Sequence, residues 1–188
     1  MPQQDCELIF RFKNGDQSAY VELYQKYVRY AFGTALLLLK DSSMASDVCQ
    51  EAFIKVYQNI HGFKDGNQFK PWFYRIIVNE AMRFTRRIMC LPKPIEKLPD
   101  IPSSTVSEPQ NIVISKEESY EIRKVISKLP VKLKIPIILR YYSDLTVEEI
   151  AATLNIPTGT VKSRLNRGRE RLGRILKDNL SVGGFHHA

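Results

Sequence analysis

The sequence has few of the residues that disulfide-rich or metal-binding proteins need. Its three cysteines, Cys6, Cys49 and Cys90, are far apart in a chain of 188 residues, and no two of them form a CxxC pair. An odd number of separated cysteines argues against a disulfide framework and indicates free thiols in a reducing compartment. The three histidines have no cysteine at zinc-ligand spacing, so we predict no metal site and no cofactor.

Long apolar runs are also missing. The run from Ala31 to Leu39 is much shorter than the roughly 20 apolar residues that a membrane-spanning helix needs. Charged residues interrupt the N-terminal stretch, so the sequence predicts no signal peptide. We therefore expect a cytoplasmic protein.

Acidic residues are fewer than basic ones, at 20 against 28, which leaves a formal net charge of +8. A basic chain favours a polyanionic partner, and nucleic acid is the leading candidate. The excess is concentrated between Thr158 and Lys177, where seven basic residues face a single acid, Glu170, so that seven minus one gives +6.

Two helices with a tight break between them are predicted in this basic region. Thr146 and Glu149 form a capping box for the first helix, residues 155–157 break it, and Thr158 can cap the second. The second helix has one apolar face and one basic face, as in a helix-turn-helix whose second helix enters the major groove. A solvated basic helix in an ordinary bundle is the competing interpretation, but break, caps and basic face together favour DNA binding.

A second mixture of polar, basic and aromatic residues occurs in the segment PWFYRIIVNEAMRFTRR, which is predicted to be helical with Pro71 in its first turn. Such a mixture suits a surface that holds unstacked bases and a phosphate backbone. Trp72 and Ile76 are better interpreted as core. The polar and positive side chains are Arg75, Asn79, Arg83, Arg86 and Arg87.

The composition changes between residues 91 and 112, where prolines, serines and threonines accumulate. This stretch has too little apolar surface to offset chain entropy, so it is predicted to be a flexible linker. The fold class is therefore all-α, with two small helical domains at 1–90 and 113–180. The second is a four-helix domain with the helix-turn-helix, and residues 181–188 are a flexible tail.

With these motifs in this order, the chain resembles the extracytoplasmic-function (ECF) sigma factors of bacterial RNA polymerase, which belong to the sigma-70 family. The resemblance runs from about Phe10 to Leu176. It rests on ASDVCQEAFIKVY and WFYRIIVNEAMRFTRR in the first half and on LTVEEIAATLNIPTGTVKSRLNRGRERL in the second. It implies a transcription initiation subunit that is not an enzyme. The implied partners are core RNA polymerase, through the clamp helices and flap of its large subunit, promoter DNA, and an anti-sigma factor, either soluble or membrane-bound; no small-molecule substrate is implied.

The resemblance also implies three sets of site residues. Polymerase docking falls on Asp47, Gln50 and Glu51. Capture of a base flipped from the melted minus-10 element falls on Phe63, Lys64, Phe69, Arg75, Asn79, Arg83, Arg86 and Arg87. Reading of the minus-35 duplex falls on Thr158, Thr160, Lys162, Ser163, Asn166, Arg167 and Arg171. Two positions depart from the family: Arg83 stands where an acidic residue is frequent, and Cys49 replaces a commoner aliphatic residue, which we interpret as a packing variant.

Two other classes of function remain to be weighed. A self-sufficient helix-turn-helix repressor or activator would use the first domain to dimerise or to sense a ligand. The acid and amide face of Asp47, Gln50 and Glu51 disfavours it, because a surface that faces DNA would not be acidic. A nucleic-acid enzyme is the least favoured class, since no GxxxxGK[ST] motif is present and capping and solvation explain Glu148 and Glu149.

Overall fold

A computed structural model describes residues 2–64, 66–90 and 123–183, and within those ranges the regular structure is helical, with no strand. This confirms the predicted all-α class. The predicted linker, 91–112, and the predicted start of the second domain at 113 lie outside the described residues. The last helix continues to Gly183, so it extends three residues into the stretch predicted to be a tail.

The first half contains four helices: α1 (Pro2–Lys13), α2 (Gln17–Leu39), α3 (Ser42–Asn59) and α4 (Phe69–Cys90), with a 3-10 turn at Ile60–Gly62 after α3. Two of them begin at aspartate caps. The carboxylate of Asp16 accepts a hydrogen bond from the Ser18 amide at 2.9 Å, and that of Asp41 accepts one from the Met44 amide at 2.8 Å. These bonds satisfy amides of the first turn that have no partner within the helix.

Helix α2 is the centre of the first half, because α1, α3 and α4 all pack against it. Leu23 of α2, Val48 of α3 and Ile77 of α4 are each almost completely buried. At the start of α1, the buried carboxylate of Asp5 accepts hydrogen bonds at 2.6 Å from the Tyr27 hydroxyl and from Lys26. Burial, aided by the bond to Asp5, raises the pKa of Tyr27 far above its ordinary value.

The second half contains a short helical segment at 123–127, followed by α5 (Val131–Tyr141), α6 (Val147–Leu154) and α7 (Thr158–Gly183). The predicted capping box is present: the Glu149 amide donates to Thr146 Oγ1 at 3.1 Å, and the Thr146 amide donates to Glu149 Oε2 at 2.7 Å. Asn155 ends α6 in the left-handed region, with φ of 52°. The prediction that Thr158 caps α7 is wrong by one residue, because the Pro157 carbonyl already accepts a bond from the Thr160 amide.

Helix α7 packs closely on α5 and also contacts α6. Ile138, Ile150 and Val161, one from each helix, are almost completely buried. Gly168 permits the close approach of α7 to α5, since a Cβ there would lie 2.8 Å from Ile137 Cγ1. None of the helices in the described ranges is long and apolar enough to cross a membrane.

The two halves are in direct contact, and their buried side chains form one continuous cluster. Thr34 of α2 and Ser143, just after α5, share a hydrogen bond of 2.8 Å between their hydroxyl oxygens. Thr153 of α6 donates to the carbonyl of Pro71 in α4 at 3.3 Å. The first turns of α4 therefore lie against the first helix of the helix-turn-helix.

Candidate nucleic-acid interface

The basic face of α7 lies open to solvent. Val161 and Leu165 are buried on the opposite side of the helix, which fixes the rotation of α7 about its axis and so decides which side chains point outward. Thr160 is half-buried. The other residues predicted to read the minus-35 duplex are exposed, namely Thr158, Lys162, Ser163, Asn166, Arg167 and Arg171. The structure thus brings the predicted set together on one side of one helix.

This surface combines the donors and acceptors that base edges and phosphates recognise. An asparagine amide can bond both to a base acceptor and to a base donor, and an arginine can grip the N7 and O6 atoms of guanine. Asn166 also accepts a hydrogen bond from Arg169 within the helix, a contact that the sequence reasoning did not anticipate.

Helix α4 presents a second polar surface. Asn79, Arg83 and Arg86 are exposed, and because Asn79 and Arg83 are four residues apart they share one face of the helix. Arg87 lies in the helix, but its side chain falls outside the described part of the chain. Trp72 is half-buried and packs against the core, as its sequence interpretation predicted.

The loop before α4 differs from the expectation at its two phenylalanines. Phe63 and Phe69 are only 6% and 3% exposed, and their ring centroids lie 5.1 Å and 5.7 Å from that of Trp72. Buried rings cannot stack on an incoming base, so these two residues shape the loop from within. The spacing of the aromatic residues between 63 and 74 gives no indication of which rings are buried, and this is why the sequence did not separate the two roles.

Two other residues of this region do reach solvent. Lys64 is exposed at the turn, where the Asn67 amide bonds to the Lys64 carbonyl at 3.2 Å and Gly66 has a φ of 85°. Phe10 of α1 is 67% exposed and, with Phe63 and Asn67, lines a cavity of about 320 Å³. Phe10 is the exposed aromatic ring beside this loop, and the sequence reasoning had not selected it.

Arg75 is predicted to contact minus-10 DNA, but its guanidinium is already engaged within the chain. Its Nε donates to the Thr153 carbonyl at 3.3 Å, and Nη2 donates to the Ala152 carbonyl. Both acceptors lie in the last turn of α6, where backbone carbonyls have no partner further along the helix. In this arrangement Arg75 joins α4 to the helix-turn-helix.

Helix α3 carries the third predicted surface. Asp47 and Gln50 are exposed and Glu51 is half-buried, and they lie on one stripe of the helix with Ile54, which is 40% exposed. The spacing of Ile54, seven residues after Asp47, could have identified it in the sequence. Burial raises the pKa of the Cys49 thiol on the inner face to about 11, so at neutral pH Cys49 remains a protonated packing residue.

The chain is similar in sequence to known proteins over most of its length. The family model described as Sigma-70 region 2 matches residues 23–88, and the one described as Sigma-70, region 4 matches residues 119–172. The ECF RNA polymerase sigma factor SigW of Bacillus subtilis is 35% identical over 90% of this chain and 95% of its own length. The ECF RNA polymerase sigma-E factor of Escherichia coli strain K12 is 35% identical over 89% of this chain and 92% of its own.

A solved structure also shares this fold. The solved structure of CnrH in complex with the cytosolic domain of CnrY superposes with a TM-score of 0.72, over 93% of this chain and 98% of that one, at 19% sequence identity. At that identity the likeness bears on the fold alone.

Proposed function

The chain belongs to the ECF sigma factors, and from that membership we propose that it directs core RNA polymerase to a specific set of promoters and helps to open them. The observation that carries the proposal is the presence of two unlike nucleic-acid surfaces on one chain. Helix α7 exposes a basic face suited to a duplex, and α4 exposes an asparagine with arginines suited to a separated strand. The protein is not itself an enzyme; the polymerase performs the chemistry, and the site of action is the cytoplasm.

Reading of the minus-35 element is assigned to α7. Ser163 and Asn166 meet base edges, and Lys162, Arg167 and Arg171 meet guanines or phosphates. Thr158 and Thr160 in the first turn stand close to the phosphate backbone, where free helix amides also favour an anion. The exposure of this face in the free chain supports the assignment.

Capture of a flipped base from the minus-10 element is assigned to Asn79 of α4. Arg83, Arg86 and Arg87 follow the backbone of the strand, and Lys64 contributes from the loop. Flipping a base costs a few kcal/mol of stacking and pairing energy, on the order of 2–4 kcal/mol, which a pocket and an aromatic ring must offset. We assign that stacking contact to Phe10, because its ring is exposed, while Phe63 and Phe69 support the loop from the core.

Docking on the clamp helices of the large polymerase subunit is assigned to Asp47, Gln50, Glu51 and the exposed side chain of Ile54 on α3, and the domain at 113–180 contacts the flap. We further propose control by an anti-sigma factor, either soluble or membrane-bound. CnrH, which shares this fold, was solved with the cytosolic domain of CnrY. The two functional modules are residues 1–90 and 113–180, connected by 91–112.

The experiment that tests the proposal compares DNA selection by the free chain with selection by the chain bound to core polymerase. Genomic fragments from the source cell are retained on the immobilised protein, with and without core enzyme, and sequenced. Retention that requires core enzyme, with enrichment of two unlike elements, is expected. Tight retention of a palindromic duplex by the protein alone would instead identify a self-sufficient repressor or activator.

A further inference from the structure

Glu80 follows Asn79 directly in α4, yet its side chain is buried. The residue is 5% exposed, and each carboxylate oxygen faces a different cation. Oε1 accepts a hydrogen bond from Lys55 of α3. Oε2 lies 2.6 Å from Nη2 of Arg83, a close ion pair whose geometry falls short of a hydrogen bond.

A carboxylate that is buried this deeply requires charged partners, because its removal from water is costly unless ion pairs offset the loss. The cluster Lys55–Glu80–Arg83 holds two positive charges and one negative charge, which leaves +1. The negative charge of Glu80 is therefore balanced within the cluster, and one net positive charge remains, on the half-exposed side chain of Arg83.

The cluster also connects two of the surfaces described above. Arg83 lies one turn after Asn79 on the same face of α4. Lys55 lies one turn after Glu51 in α3. Glu80 stands between the two helices, so it determines where the Arg83 guanidinium rests relative to the Asn79 amide.

We propose that Glu80 is a positioning residue for strand capture: it holds the Arg83 guanidinium beside Asn79, where it meets the phosphate backbone next to the captured base. The inference rests on the proposed sigma-factor function. A guanidinium has five N–H donors, and the ion pair with Glu80 occupies only one edge of it, so donors remain for a phosphate. Arg83 stands where the family frequently has an acid, and the buried carboxylate of Glu80 fixes the direction of its side chain.

A purely structural role for Glu80 makes a different prediction. If the carboxylate only fastens α3 to α4 through Lys55, then removing Arg83 should leave promoter opening unchanged, and any loss caused by Glu80→Gln should persist in an Arg83→Ala background. If Glu80 acts through Arg83, the two substitutions should not be additive.

The test is a double-mutant cycle with holoenzyme, made from core polymerase and the full chain. Glu80→Gln, Arg83→Ala and the double variant are compared on a promoter fragment recovered in the selection described above, by the rate at which minus-10 thymines become reactive to permanganate. Lys132→Ala, which removes an exposed positive charge from α5, where no DNA contact is assigned, is the control for a general loss of positive charge. Affinity for core polymerase and the thermal midpoint of each variant are measured in parallel.

We expect Arg83→Ala and Glu80→Gln each to slow opening about tenfold, the worth of one charge-assisted hydrogen bond, with little change in affinity for core. The double variant should be no slower than Arg83→Ala. Normal opening by Arg83→Ala, or additive losses in the double variant, would overturn the inference while leaving the sigma-factor assignment intact. If the unsubstituted protein opens no promoter with active core, the proposed function itself fails.

Arg83→Lys keeps the inference testable if Glu80→Gln does not fold. Lysine retains the charge but lacks the planar fork that one carboxylate can orient, so opening should remain about fivefold slower than with arginine. Full activity with lysine would show that a charge alone suffices, and it would overturn a positioning role for Glu80.

Discussion

The two proposed nucleic-acid surfaces are presented very differently. The face of α7 proposed to read the minus-35 duplex is exposed except at the half-buried Thr160. The first turns of α4, in contrast, lie against α6, with Arg75 bonded to the Ala152 and Thr153 carbonyls. Helix α6 packs against both helices. It supports α7 as the first helix of the helix-turn-helix, and it covers the start of α4. A duplex can therefore reach the exposed face of α7 directly, whereas Arg75 and the first turns of α4 are freed only if the halves separate.

The largest expected effect concerns the α4 surface. Asn79→Ala should slow promoter opening by about tenfold to a hundredfold, because a flipped base then lacks the hydrogen bonds that offset its unstacking. Assembly with core polymerase should change little, since Asn79 lies outside the α3 stripe. Permanganate footprinting measures opening, and fluorescence anisotropy measures assembly. Asp47→Ala is the matched control and should weaken assembly with core polymerase more than promoter opening. Equal losses of opening and assembly in Asn79→Ala would contradict the assignment.

The corresponding substitution on α7 is Arg167→Ala. If Arg167 contacts a base, the substitution should cost about 1–3 kcal/mol of binding free energy and relax the preference at one position of the minus-35 element. Binding of holoenzyme to a panel of single-base minus-35 variants measures both quantities. Uniform weakening across the panel, with a reduced salt dependence, would show a phosphate contact instead.

Gly33→Ala tests the contact between the halves. An added Cβ at Gly33 would lie 1.7 Å from the hydroxyl oxygen of Tyr142, so the tyrosine ring must move and the contact must loosen. We expect a loss of about 1–2 kcal/mol in the free energy of unfolding, in the lower part of the usual range for overpacking, because Tyr142 is half-buried and can swing outward. Hydrogen exchange at the first turns of α4 should become faster.

Gly173→Ala is the control for the helix effect of alanine, since no atom lies within 4 Å of a Cβ placed there. It should stabilise α7 by up to about 1 kcal/mol and leave exchange in α4 unchanged. An unaltered hydrogen-exchange rate at the first turns of α4 in Gly33→Ala would show that the contact between Gly33 and Tyr142 does not hold the halves together.

The smallest expected effect belongs to α6. Thr146→Ala removes one half of the capping box and should lower the free energy of unfolding by about 1 kcal/mol. Because α6 packs against both α4 and α7, the variant should reduce minus-35 binding slightly and expose the start of α4 slightly. Thr146→Ser retains the hydroxyl and should behave as the unsubstituted chain in denaturant unfolding; a loss of equal size in both variants would assign the effect to the methyl group.

The local features of this fold could be predicted from sequence because they depend on neighbouring residues. The Thr146–Glu149 capping box, the Asp16 cap and the inward positions of Val161 and Leu165 follow from spacing alone, and the exposed face of α7 follows from them in turn. The start of α7 was misplaced by one residue because Pro157 and Thr158 both suit the beginning of a helix.

The remaining features depend on residues that are distant in sequence. Thr34 and Ser143 share a hydrogen bond across 109 positions, and the acceptors of Arg75 lie in α6. No local pattern shows that carbonyls at 152 and 153 reach an arginine at 75. For the same reason the burial of Phe63 and Phe69 became apparent only when Trp72 and the helices around them were placed.

The central claim is that this chain gives core polymerase a promoter specificity it otherwise lacks. Run-off transcription with purified core RNA polymerase on fragmented genomic DNA from the source cell, with and without the protein, tests it most directly. We expect new discrete start sites that share upstream minus-35 and minus-10 sequences and disappear when the protein is omitted. Active core enzyme that gains no new start sites, together with a protein that alone retards a palindromic duplex, would contradict it.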